Sequence, residues 1–318
     1  RGNSFLLSRY LRAYWYWLYE QDPYKGYRGR PRARVVTGID VIVHNADGFR
    51  DGRDIAEIMG MKDRKLILCV GESSTYGLAA GANGGTYPAV LEKELRALSG
   101  DESWVVFNGG MPGYTSHEVI ELLSLRLLKM RPDVVVSMNL RNDFRAFAAL
   151  DDDLDYNFYP LRLAQRSKTF ANEILMRSSL FAFAASRWRV RFGDDLGGLA
   201  PAPHESGFSA RGVKLYEDDL ALMALQVASS GASLMFVDQP VDYSAYSQQE
   251  VRDIEMMRGR LAAFCQDNAL TLLAAHSTMD WSGLSPEDDV HLGTLGYERL
   301  AKQLAPQMLE AYRDRGRN

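Results

Sequence analysis

Five short apolar runs, at about residues 66–70, 105–108, 134–138, 234–238 and 270–274, are separated by helical patterns. Each run reads as a buried strand. Between them, 88–98 carries an apolar stripe of Val90, Leu91, Leu95 and Leu98. The stretch 116–130 carries Ile120, Leu123, Leu127 and Leu128, with Ser116 expected as its N-cap. The stretches 216–229, 248–267 and 295–311 follow the same logic. Strands alternating with helices predict an α/β fold, a three-layer sandwich around a five-stranded parallel sheet with right-handed crossovers.

The first run ends abruptly. Residues 66–77 read Leu-Ile-Leu-Cys-Val-Gly-Glu-Ser-Ser-Thr-Tyr-Gly. A serine just past the carboxyl end of a parallel strand lies at the sheet edge where open α/β folds bind ligands. A hydroxyl is a poor nucleophile at neutral pH. It needs a base, a group that orients the base, and donors for the developing oxyanion. Asp288 and His291 are three residues apart, just before the last helical pattern, and one tight turn brings that carboxylate to that ring. The second strand is followed by Asn108-Gly109-Gly110-Met111-Pro112-Gly113-Tyr114, where a glycine lets a backbone N–H approach a substrate oxygen. The third is followed by Asn139-Leu140-Arg141-Asn142-Asp143, and the Asn142 amide can aim at the same oxygen.

In chain order, strand ends thus carry Ser, Gly, Asn and Asp-x-x-His. The chain resembles the SGNH hydrolases, also called the GDSL esterase/lipase superfamily, in four blocks: Gly71-Glu72-Ser73, Gly113, Asn142 and Asp288-x-x-His291. The resemblance spans about residues 64–309. It implies a flavodoxin-like strand order, with Ser73 as nucleophile, His291 as base and Asp288 as its orienter. The oxyanion hole maps to the Ser73 N–H, the Gly113 N–H and the Asn142 amide. It selects Ser73 over Ser74; Gly109 and Gly110 are expected to serve close packing, and Asp143 to brace its loop. Two positions depart from the family pattern. Glu72 stands where the family most often has Asp, and the third block lacks the glycine often found two residues before its Asn. Arg141, beside the expected oxyanion hole, bears on substrate charge preference.

The connection from the third strand to the fourth is far longer than the others. Its extra part, about 144–214, is rich in aromatics such as Phe158, Tyr159, Phe170, Phe181, Trp188 and Phe192, and is expected to form a helical cap over the site. Residues 1–60 are read as an N-terminal aromatic helix and lead-in, and 61–318 as the hydrolase domain. The lead-in contains the turn Asn45-Ala46-Asp47-Gly48-Phe49-Arg50. It is similar to a segment in SGNH proteins found near bacterial envelope polysaccharide systems.

The chain has 318 residues, a formal net charge of −4 and 46% hydrophobic residues, enough for a sizeable core. Slight acidity argues against nucleic acid as a partner, which calls for a basic footprint. Cys69 and Cys265 read as buried free thiols. No Cys/His cluster has metal-ligand spacing, and no cofactor is expected. His44, His204, His276 and His117 are expected to be structural or solvated. Residues 5–19 are too short and too charged to span a bilayer, yet their Trp, Tyr and Arg content fits an interfacial helix. A helix packed on the domain is the equal alternative to membrane proximity, and an extracytoplasmic location, periplasmic, secreted or anchored, is the slightly favoured expectation. The expected reaction is serine ester hydrolysis through an acyl-enzyme, on an acetyl ester of a small-molecule or carbohydrate substrate. The alternatives are an O-acyltransferase to a sugar hydroxyl and a non-catalytic glycan-binding protein; a complete Ser, His and Asp set favours an enzyme.

Overall fold

The computed structural model describes residues 17–37, 40–148, 210–278, 281 and 290–315. The central sheet has five strands: β5 (Lys65–Gly71), β6 (Trp104–Gly110), β7 (Val134–Met138), β8 (Ser233–Val237) and β9 (Thr271–Leu273). Their order is β6-β5-β7-β8-β9 and every pairing is parallel. Numbered from β5, this is the 2-1-3-4-5 order of doubly wound sheets, with β5 at the switch point between β6 and β7.

Residues of β5 point alternately to two separate cores. Leu66, Leu68 and Val70 join one cluster with α4 (Ser116–Leu125), α6 (Ala210–Ser229) and α7 (Gln248–Asp267). Ile67 and Cys69 join the other with α3 (Tyr87–Ser99) and α8 (Thr294–Arg315). Both faces being covered explains why the strands are apolar at successive positions. Each fully buried leucine here contributes about 1.5–3 kcal/mol against remaining exposed. The register sets the level at which the chain leaves the sheet. Gly71 lies opposite Gly110 on one side and Met138 on the other. The three loops after β5, β6 and β7 therefore start from one edge, side by side.

Element boundaries moved by one or two residues for most strands, and β9 is shorter than expected. Thr115, not Ser116, caps α4: the Thr115 N–H donates to Glu118 Oε2 at 2.8 Å in a capping box. Ser116 is committed elsewhere, as described below. The helix expected to run to 130 breaks at Arg126 and continues as a 3₁₀ turn over Leu127–Met130. The tighter turn places Leu127 and Met130, three apart, on one buried face.

The lead-in holds two antiparallel pairs that the sequence reading did not anticipate: β1 (Tyr19–Asp22) with β2 (Gly26–Gly29), and β3 (Arg34–Val36) with β4 (Val41–Val43). Strands of three or four residues carry too short a pattern to be read as alternation. A short α1 (Ile55–Gly60) follows. Leu18, Tyr27, Val35, Ile42, Phe49 and Ile58 are buried in the same cluster as β5. The turn at 45–50 is built by Asn45, whose Oδ1 accepts from the Asp47 and Phe49 N–H groups. It delivers Arg50 into the interior. That guanidinium donates to Asp40 Oδ1 (2.9 Å), Asn83 Oδ1 (3.3 Å) and the Gly77 carbonyl (2.6 Å). The lead-in thus reaches the segment that carries Ser73. The N-terminal aromatic run before Trp17 and residues 149–209 of the expected cap lie outside the described residues. Phe144 and Phe147, at the start of the expected cap, are core residues, packed beside Tyr246 and Tyr216.

Candidate active site

Gly71 ends β5 at φ +147°, a region closed to L side chains. A Cβ there would sit 2.3 Å from the Met138 carbonyl oxygen and 2.6 Å from Thr75 Oγ1. Glycine lets the chain turn against β7 and enter α2 (Ser73–Tyr76), of which Ser73 is the first residue. His291 arrives from the loop before α8. Its Nε2 lies 2.6 Å from Ser73 Oγ, and both side chains belong to residues less than a tenth exposed. With Nε2 unprotonated, the hydroxyl donates to it, the geometry from which a base takes the serine proton. Ser74 is occupied otherwise: its hydroxyl donates to the Val290 carbonyl at 3.2 Å and accepts from the Gln239 amide at 3.1 Å. Asp288 lies outside the described residues.

Gly113 also has positive φ, +81°. Its loop is held from two sides. The Tyr27 hydroxyl donates to the Pro112 carbonyl, and the Tyr114 hydroxyl donates to the Tyr27 carbonyl at 2.5 Å. From the other side, Asn142 Nδ2 donates to the Tyr114 carbonyl at 3.0 Å. Asn142 is the second residue of α5 (Arg141–Ala148), and its backbone N–H donates to Glu72 Oε2 at 2.9 Å. An amide nitrogen carries two hydrogens, so the Tyr114 bond orients the Asn142 amide and leaves one N–H for a substrate oxygen. Gly110 does serve close packing, since a Cβ there would lie 2.2 Å from the Tyr76 nitrogen.

Asp143 braces α4. It accepts from the Ser116 N–H at 2.7 Å and from the Ser116 hydroxyl. Burial pushes its carboxyl well above the usual carboxylate range, against the pull of those two bonds. Glu72 is wholly buried and burial raises it too, opposed by bonds from Gln239 and the Asn142 N–H and by the Arg141 charge. Among the described residues no group of three or more His, Cys, Asp or Glu is placed to hold a metal ion. Cys69 and Cys265 are free and buried, and burial pushes the thiols up to about 12 and about 11.

Three residues around the site escaped the sequence reading: Gln239, Arg50 and Tyr27. Gln239 had a signal, because it stands two residues past β8, at the same sheet edge as Ser73 and Asn142. Arg50 had only its place at the end of the Asn45–Arg50 turn, and Tyr27, which acts through tertiary contacts, had none.

Two of the other histidines have partners of their own, and His204 lies outside the described residues. His117 pairs with Asp219 at 3.5 Å. His44 is buried, with Nδ1 donating to the Arg30 carbonyl (3.0 Å) and Nε2 accepting from the Tyr76 hydroxyl (2.7 Å). This tautomer follows because a carbonyl only accepts. Burial, then the Arg50 charge, pushes His44 down to about 4. Its folded pKa is thus below that of an ordinary imidazole, about 6.5. The contribution of neutral His44 is fully present above about pH 6.5 and is lost as pH falls towards 4. The expected result is a stability loss of at most about 1.4 kcal/mol per pH unit from this group in that window. Urea unfolding of wild type and His44→Gln across pH 4–7 checks it: the variant's slope should be shallower. Parallel pH curves would assign the acid sensitivity elsewhere.

No family model and no curated protein matches this sequence. Solved structures do match in fold. A lipase/acylhydrolase from Enterococcus faecalis is 16% identical, with 78% of this chain and 96% of that chain covered and a TM-score of 0.51. A protein described as a GDSL-like lipase from Parabacteroides merdae is 12% identical, with 78% and 97% covered and a TM-score of 0.50. At these identities the shared property is the fold, and this chain has the three-layer fold of the SGNH, or GDSL, hydrolases.

Proposed function

We propose that this chain, on an SGNH hydrolase fold, is a serine carboxylic ester hydrolase working through an acyl-enzyme. One observation carries the reading: Ser73 Oγ and His291 Nε2 are 2.6 Å apart at the carboxyl edge of the sheet. Ser73 Oγ attacks the acyl carbon while His291 takes its proton. The carbonyl oxygen becomes an oxyanion facing the Ser73 and Gly113 N–H groups and the Asn142 amide. Collapse breaks the bond to the alcohol oxygen, which leaves with the proton from His291. Water then attacks the acyl carbon as the same imidazole takes its proton; the bond to Ser73 Oγ breaks, His291 returns the proton to that oxygen, and the acid leaves. Asp288, three residues before His291, orients the ring and stabilises the imidazolium.

The favoured substrate is a short acyl ester, an acetate, on a carbohydrate hydroxyl. Two features support this. Ser73 is only 8% exposed, which favours a small acyl group. The Asn45–Arg50 turn is similar to that of SGNH proteins near envelope polysaccharide systems. The test is a panel of nitrophenyl esters of increasing acyl length together with acetylated sugars. Turnover of acetates should exceed that of long-chain esters, and acetylated sugars should release acetate. A preference for long chains would remove the acetyl assignment, and no turnover of any ester would remove the hydrolase.

A further inference from the structure

The fourth strand of the sheet has no block in the resemblance, yet its end is tied into the site. Gln239 follows β8, is 1% exposed, and uses its whole carboxamide. Nε2 donates to Glu72 Oε1 and to Ser74 Oγ at 3.1 Å. Oε1 accepts from the Arg141 N–H at 3.2 Å. Glu72 precedes Ser73, and Arg141 precedes Asn142. The second Glu72 oxygen accepts from the Asn142 N–H, closing a ring of bonds between the two loops. Ser74 extends the ring, because its hydroxyl donates to the carbonyl of Val290, the residue before His291. Gln239 is itself fixed from behind: Arg258 donates to its carbonyl at 2.5 Å, pairs with Asp238 and donates to the Tyr243 hydroxyl at 2.9 Å.

We infer that Gln239 is a positioning residue that holds the nucleophile loop, the oxyanion-donor loop and the base loop in one register. It acts through Glu72, Arg141 and Ser74. The chemistry at 239 is specific. The Glu72 carboxylate needs a donor and the Arg141 N–H needs an acceptor, and an amide offers both at one end. A carboxylate there would face Glu72 with like charge, and a thioether would offer neither function. The longer Glu72, in place of the family's common Asp, is what reaches both Gln239 and α5. The inference rests on the hydrolase reading above.

The test compares Gln239→Met, Gln239→Glu, Glu72→Gln and the exchange Glu72→Gln/Gln239→Glu on an activated acetate ester. A displacement of the reacting groups by about 1 Å can cost about a hundredfold. Each single variant should therefore lose about ten- to a hundredfold in kcat, with KM changed far less. Glu72→Gln meets Gln239 donor to donor, and the exchange restores a complementary pair. The double variant should thus recover most of the lost kcat over either single. A cooperatively melting Gln239→Met with wild-type kcat would overturn the inference. So would a folded exchange variant no faster than its singles, or a loss confined to KM. If Gln239→Met does not melt cooperatively, the residue belongs to the fold and the inference fails as well. Labelling of wild-type Ser73 by a fluorophosphonate separates the two levels: a wild type that neither labels nor turns over would instead overturn the hydrolase reading.

Discussion

Ser73→Ala and His291→Ala are each expected to lower ester turnover by a factor on the order of thousands or more, and the double variant to be little worse. The two side chains act as one unit across a single 2.6 Å contact. Removing either ends proton transfer from the attacking oxygen, so the second removal has little left to take away. Residual activity should come from binding and the oxyanion donors alone. Neither change should unfold the protein. Ser73 leaves one methyl group in its place, and α2 keeps its Tyr76 and Gly77 N–H bonds to the Glu72 and Ser73 carbonyls. The measurement is kcat/KM on an activated acetate ester, with circular dichroism and a melting curve on each variant. Near-normal turnover by a folded Ser73→Ala protein would end the assignment. Additive losses in the double variant would mean that the two residues do not share one step.

The sheet was legible because its strands are buried on both faces. Runs such as Leu66–Val70 and Val134–Met138 carry the signal at every position and lie in sequence beside strong helical stripes. Fold class, strand count and strand order followed from that alternation and from the four-block resemblance. The lead-in was illegible for the opposite reason. The β1–β4 strands have three or four residues each, and their stability comes from packing on the main core. Ser116 shows a local rule overruled by a partner. A serine before an amphipathic run reads as an N-cap, but Asp143, distant in sequence, takes its N–H and its hydroxyl. Thr115 then serves as the cap, with Glu118 completing the box.

At the candidate site, the residue types proposed for the chemistry could be named from the sequence because chemistry restricts them. A base, a nucleophile and oxyanion donors come from few side chains, and strand ends are few. The supporting residues are not restricted in that way. Many side chains could hold Glu72 or back the turn after α2, so the local sequence marks Gln239 only by its place past β8 and Arg50 only as the end of a turn, and neither by its partners. What selects them is geometry: one end of β8 lies beside β7, and one turn of the lead-in points at the Gly77 carbonyl. The Glu72 substitution illustrates the link between the two levels. Taken alone, Glu72 is one methylene longer than the Asp of the SGNH pattern that the sequence resembles. In the structure it is the side chain that connects the serine loop to α5.

Asn142→Ala should show how much of the reaction depends on the side-chain donor carried by α5. The amide donates to the Tyr114 carbonyl with one hydrogen, and the other is the oxyanion donor of the proposed mechanism. Removing one oxyanion donor typically lowers kcat by about a hundred- to a thousandfold, about 2.7–4 kcal/mol, because the bond is strongest when the oxygen is charged. KM should change little, since the neutral ester carbonyl gains less from it. The structural part of the loss is separable. The Tyr114 carbonyl loses one donor, worth about 1 kcal/mol in net stability, and alanine favours the first turn of α5. The backbone bond from residue 142 to Glu72 needs no side chain and is retained. Melting should therefore move slightly while kcat collapses. A variant with raised KM and unchanged kcat would place Asn142 in ground-state binding. A fall in kcat matched by an equally large fall in stability would make it a structural residue of the Gly113 loop.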